Sequence, residues 1–353
     1  MAGSRKSTHF LLGASLAALL VFVFSLGSAQ VVLAETTLRL SRYNGGFFTI
    51  ESPRGWEVTT AGACAEFSFL LQDRKSPLRQ VFFFGEAGPV YTHPYQQAID
   101  QSYMAMGGYP TPWVDMPLVY PFTPANFLAQ FHLVVRSNIG QSFMPNGPQM
   151  EQVQIIAQEP QPAAIGGGQC ELIRAVFLQG GVLGEGLFHL TVVPLLPFTA
   201  SPGGGIGMGF LVTGITAPKE EFADLLESLV KCIESYTVDE SYVRNCLAQQ
   251  NQTYAGIMKA GKTLSEASDI IAQGWEERNR THDVLSEKWS DTILGKERLY
   301  DPTTGNVYEF ANGFYDTYDP NREQYRLNNL QRLPEDAYEL WMQPPLDGSQ
   351  YVG

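Results

Sequence analysis

The chain has 353 residues, 23 Lys+Arg against 36 Asp+Glu, and a formal net charge of −13. An acidic surface repels phosphate backbones and anionic headgroups, which excludes nucleic-acid binding and disfavours docking on anionic membranes. With 12% aromatic and only 17% charged residues, punctuated by 34 Gly and 22 Pro, the composition describes a folded β-rich protein with long loops rather than disorder.

The N-terminus reads as an export signal over residues 1–34. Arg5 and Lys6 precede an uncharged apolar run from Phe10 to Leu26, and small-residue sites follow at Gly27-Ser28-Ala29 and Val32-Leu33-Ala34. The run is 17 residues long, near the lower limit of a membrane span, but Gly13, Ser15 and Ser25 dilute it. Cleavage after Ala29 or Ala34 is therefore expected over a retained anchor, which would be the only membrane contact. Removing the segment takes two basic residues and no acid, leaving 21 against 36 and a net charge of −15. The expected location is periplasmic or extracellular.

From Thr37 to Gly85 the pattern is strand after strand. Leu38 and Leu40 alternate with polar residues, and Asn44-Gly45-Gly46 forms a hairpin turn before Phe47, Phe48 and Ile50. Phe67 to Leu71 and Val81 to Phe84 read as buried strands bounded by turn residues. Residues 91–150 read as a helical insertion. It has a helix from Tyr95 to Met106, a mobile Pro-rich loop from Gly107 to Pro121, and a second helix capped by Thr123-Pro124 that puts Phe127, Phe131, Val134 and Val135 on one face. Strands resume at Val153–Ala157, Cys170–Leu178, Leu187–Val193 and Gly209–Ile215. A helix then runs from Pro218, with Phe222, Leu225, Leu226, Leu229, Val230 and Ile233 as its apolar stripe.

Phe48-Thr49-Ile50-Glu51-Ser52-Pro53-Arg54-Gly55-Trp56 resembles the opening of PsbP-like domains, a strand, a Pro-x-Gly-Trp turn and a second strand. Gly209 to Phe222, running from strand into helix, resembles their close. The family includes a photosystem II extrinsic subunit and a Ran-binding import factor. The resemblance implies an α+β fold, with an antiparallel β-sheet sandwiched by helices over residues 35–238. The matching positions are structural, so it implies no binding residue.

Beyond Asp239, apolar residues from Val243 to Trp289 recur at spacings of three, four and seven, which predicts long amphipathic helices over 239–294. Gly261 and the capping box Thr263-x-x-Glu266 mark a break between them. Residues 295–353 form an aromatic-rich tail. Its hairpin, Glu297–Tyr300 and Val307–Phe310 around Asp301-Pro302-Thr303-Thr304-Gly305, resembles a module of uncharacterised bacterial exported proteins.

Four cysteines, Cys64, Cys170, Cys232 and Cys246, permit three pairings in an exported chain. Cys232 and Cys246 flank a predicted helix end, and Cys64 and Cys170 lie in or beside strands. Cys64–Cys170 and Cys232–Cys246 are the expected bonds, with four reduced, buried thiols as the alternative.

Catalytic and metal motifs do not emerge. His93, His132, His189 and His282 are scattered, the glycine runs precede strands rather than helices, and Asp316, Asp319, Asn321 and Glu323 lack the loop glycine and ligand count of an EF-hand. No cofactor is expected. The tail aromatics are read first as packing of the tail and second as a binding surface, with Tyr308, Tyr315, Tyr318 and Trp341 as the binding candidates. The favoured reading is a non-enzymatic binding or accessory protein of the bacterial envelope, its partner another envelope protein or a glycan. The alternatives are a cell-wall hydrolase with its site under the 107–121 loop and a structural envelope component.

Overall fold

The computed structural model describes residues 38–249 and 280–351. The expected export signal, and the expected helix break at Gly261, lie outside them. In chain order the elements are β1 (Leu40–Asn44), β2 (Phe48–Pro53), β3 (Glu57–Ala61), β4 (Ser68–Asp73), β5 (Ser76–Tyr91), α1 (Pro94–Ala105), α2 (Pro124–Ala129), α3 (Phe131–Arg136), α4 (Asn138–Phe143), β6 (Glu151–Gln161), β7 (Gln169–Gln179), β8 (Val182–Leu196), β9 (Ile206–Pro218), α5 (Lys219–Glu234), β10 (Thr237–Val238) and α6 (Glu240–Gln249). After the undescribed stretch come α7 (280–294), β11 (Lys296–Tyr300), β12 (Val307–Ala311), α8 (Phe314–Tyr318), β13 (Gln331–Arg332), α9 (Tyr338–Trp341) and β14 (Leu346–Asp347).

Seven strands pair antiparallel in the order β3-β4-β5-β9-β8-β7-β6. Both faces of this sheet are covered, which explains its continuous apolar runs. Along Val81-Phe82-Phe83-Phe84, Val81 and Phe83 face α5 with Phe222, Leu225 and Leu229. Phe82 and Phe84 face Phe127, Phe131 and Val134 from α2 and α3. The fold is thus α+β, an antiparallel sheet between helices, as expected. Each fully buried Leu or Phe contributes about 1.5–3 kcal/mol to it.

Several expectations are corrected in detail. The strands form two antiparallel sheets before residue 240, not one, because β1, β2 and β10 pair separately in the order β1-β2-β10. In α5, Leu226 is half-buried and Leu225 takes the inner position. The helix over Phe127–Val135 is two, broken at Gln130 (φ −99°, ψ 3°), yet all four expected apolar residues are buried. The 107–121 loop is tied down. Gln97 Nε2 donates to the carbonyls of Val114 and Met116 at 3.1 and 3.2 Å, and Met116 and Val119 enter the core.

The disulfide pairing also differs. Cys64 bonds Cys246, with Cα atoms 5.6 Å apart, while Cys170 and Cys232 are buried free thiols. The reason is topological. After α5, β10 pairs with β2, and α6 then lies on the segment between β3 and β4. Tyr242 of α6 stacks on Phe47, just before β2, at 3.9 Å, and the Tyr242 hydroxyl accepts from the Cys64 amide at 2.8 Å. Cys232 instead points from α5 into the core and donates to Ser228 O, and burial pushes its thiol up to about 12.

In the tail, β11 and β12 form the expected hairpin inside a four-stranded sheet, β13-β11-β12-β14. Val307 clusters with Val284 of α7, so the hairpin lies against that helix. Leu299 stands opposite Tyr308 and shares its cluster, while Val307 packs in another. Charges complete the joint. Glu287 of α7 pairs with Lys219 of α5 and Arg298 of β11, and Asp283 approaches Arg174 of β7 at 3.3 Å. No helix among the described residues is long and apolar enough to cross a membrane.

Candidate functional site

The four tail residues that are candidates for a binding surface do not form one. Tyr308, Tyr318 and Trp341 are buried and Tyr315 is half-buried. The Tyr318 hydroxyl oxygen accepts from the Leu330 amide at 2.8 Å, and the ring lies against Phe314 and Tyr325. Trp341 donates from Nε1 to Pro334 O at 2.9 Å. These aromatics are the small core of the tail, since two short hairpin strands need such a core to persist in water. The acidic turn is neutralised in part by arginine, Asp316 by Arg332 at 2.6 Å and Asp319 by Arg322.

Cys170 and His189 meet where the sequence alone suggests nothing, with Sγ and Nε2 3.3 Å apart on neighbouring strands. Both are buried. Burial pushes the thiol up and the imidazole down to about 4, so the thiolate–imidazolium pair that nucleophilic chemistry requires is disfavoured. Among the described residues there is no group of three His, Cys, Asp or Glu that could hold a metal.

The surface that stands out is α1. His93 caps it, its side chain accepting from Tyr95 N, and Pro94 sits in the first turn, where a missing amide hydrogen is harmless. The stripe turned inward is polar. Gln96 and Asp100, one helical turn apart, are fully buried. Asp100 accepts from the Tyr91 hydroxyl at 2.8 Å, Gln96 Nε2 at 3.1 Å and Gly203 N at 2.9 Å. Gln96 Nε2 also donates to Ser201 O at 2.8 Å. Burial, then the bond to Asp100, pushes the Tyr91 phenol above its ordinary range. These bonds tie α1 to the glycine turn 203–205, where Gly203 and Gly205 have φ of +85° and +58°.

The stripe turned outward is apolar. Tyr95, Ala98, Ile99, Tyr103 and Met106 line a shallow depression of about 470 Å³ closed by Pro202. Tyr95, Met106 and Tyr109 are 69%, 81% and 85% exposed. The patch continues through His93, which stacks on Phe198 at 3.9 Å and meets Tyr120 edge-on at 6.4 Å. Residues 91–125 and 194–206, which build it, contain no Lys, Arg or Glu and two Asp, one of them the buried Asp100. That charge-free stretch was the available sequence signal. The helix was legible, but the spacings of four, four and three between Tyr95, Ile99, Tyr103 and Met106 do not by themselves say which side meets the protein.

No family model matches the chain, and no curated protein does. Among solved structures it is similar to cyanobacterial PsbP from Synechocystis, at 11% identity and a TM-score of 0.24, covering 60% of this chain and 98% of that one. It is also similar to a protein structure from Bacteroides thetaiotaomicron, at 11% identity and a TM-score of 0.21, covering 74% and 81%. Values this low carry no argument about function.

Proposed function

We propose that this chain is a non-enzymatic accessory protein of the bacterial envelope that docks a protein partner through the outer face of α1. The observation that carries the reading is the inversion of that helix, with Asp100 and Gln96 fully buried and Tyr95 and Met106 in the open. A helix that hides its acid and shows its aromatics loses apolar burial that a partner would restore. Interface cores are depleted in charge and enriched in Tyr, Phe and Met, which is the composition of this patch. A lipid surface suits it less, because no Lys or Arg stands within 91–125 or 194–206 to meet headgroup phosphates. The Cys64–Cys246 disulfide supports an oxidising, extracytoplasmic setting.

The test is site-specific photo-crosslinking in the intact envelope of the source cell, with benzoylphenylalanine in place of Tyr95. The expected product is one discrete heterologous adduct, lost when Met106 and Tyr109 are both changed to Ser. Adducts to a second copy of the chain, or a smear that the double variant leaves unchanged, would overturn the reading.

A further inference from the structure

A second opening lies between the insertion and the opposite end of the sheet. It is a cleft of about 620 Å³, a size suited to a small ligand. Its walls carry five glutamines, Gln72 of β4, Gln80 of β5, Gln141 of α4, Gln149 and Gln179 of β7, with Asn146 beside them. The only charges on its lining are Arg136 and Glu151, and they pair with each other. The β7–β8 turn, Gly180 and Gly181 at φ of +60° and +79°, forms one lip, and both glycines have open space where a Cβ would stand.

Gln80 is the singular member. It is 1% exposed, and its Oε1 has no hydrogen-bond partner. Gln179 Oε1 is buried and unpartnered as well. The neighbouring amides are held in place by their NH2 groups. Gln72 and Gln179 both donate to Pro77 O, at 3.0 and 3.4 Å, and Gln141 donates to Val135 O at 2.6 Å. A buried acceptor without a donor is unfavourable unless something supplies one. Both oxygens lie just beneath the cleft surface, and a rotation of each amide would present them to a ligand that brings donors and no net charge.

We propose that this glutamine-lined cleft binds a neutral glycan, whose hydroxyls donate to the orphaned amide oxygens of Gln80 and Gln179 and accept from the free amide hydrogens around them. A hydroxyl both donates and accepts, so vicinal hydroxyls match a wall of primary amides. An anionic or cationic ligand finds no unpaired opposite charge on the lining, and an apolar one finds no aromatic side chain there. This site is independent of the α1 face and stands or falls separately from it.

The test is NMR of the glutamine side-chain amides during titration with maltohexaose, cellohexaose and N-acetylchitohexaose, each to about 10 mM. At least one should shift the Gln80, Gln141 and Gln149 signals saturably. Gln80→Leu removes the orphaned acceptor, so it should leave Tm unchanged or higher while weakening binding about tenfold or more. Gln141→Ala, on an exposed position, should weaken it with the core untouched. No saturable shift with any of the three sugars, an unaltered affinity in both variants, or a stronger response to acetyl-triglycine amide would overturn the proposal.

Discussion

Helices α1 and α5 pack on the same domain with opposite faces inward. α5 buries Phe222, Leu225, Leu229 and Ile233, puts Glu220 and Glu221 in its first turn and Lys231 in its last, and keeps its charges off the buried stripe. α1 buries Gln96 and Asp100 and leaves Tyr95 and Met106 outside. Both stripes are amphipathic, so the spacing of apolar residues does not decide which side meets the protein. The neighbourhood decides. α5 lies over Val81, Phe83 and Ile215, a wall that rewards Leu. α1 lies over Tyr91 and the 201–205 turn, where the Tyr91 hydroxyl and Gly203 amide need an acceptor and the Ser201 carbonyl a donor.

The contrast can be tested by its energies. Leu229→Ala empties a fully buried site under α5 and should lower the unfolding free energy by about 2–5 kcal/mol in a urea titration. Asp100→Ala strips an acceptor from three donors beneath α1 and should cost about 3 kcal/mol, although no apolar contact is lost. A cost below about 0.5 kcal/mol there would mean the polar stripe does not hold the helix.

The α5 side of the sheet also hides an imidazole, His189, two residues along β8 from Leu187. Its folded value of about 4 lies below the ordinary 6.5, so between those values the unfolded chain binds more protons. Its contribution is complete above about pH 6.5 and is lost as pH falls toward 4, amounting to about 3 kcal/mol at most. His189→Gln should flatten that part of a stability-against-pH curve. The smallest effect belongs to the outer face of α1. Tyr95→Ser should change stability by less than about 0.5 kcal/mol by thermal unfolding, while the Met106→Ser, Tyr109→Ser pair should abolish the proposed crosslink.

The strands were legible because sheet faces impose period two and covered faces impose continuous apolar runs. Phe82, Phe83 and Phe84 could be placed without coordinates, and so could α5, whose stripe repeats every three or four residues. The cysteine partners were not legible, because pairing depends on where β10 returns the chain, and a two-residue strand has almost no pattern. The tail aromatics were ambiguous for a related reason. Tyr308 and Tyr318 suit an interface and a core equally, and only the packing of α8 and the 319–330 segment over the hairpin tells which. The glutamine cleft was invisible because its lining comes from four separate stretches of chain, each ordinary by itself.

The Cys64–Cys246 bond closes a covalent ring of the intervening chain, with a sequence separation of 182 residues that takes in β4 through α5 and nearly all of the seven-stranded sheet. A protease that nicks the exposed 107–112 or 199–203 stretch therefore opens the ring without releasing a fragment. The cut protein should migrate as a full-mass species on a non-reducing gel and separate into two only with thiol present. A protein built this way can be clipped at the very loops that border its α1 surface and still remain one molecule.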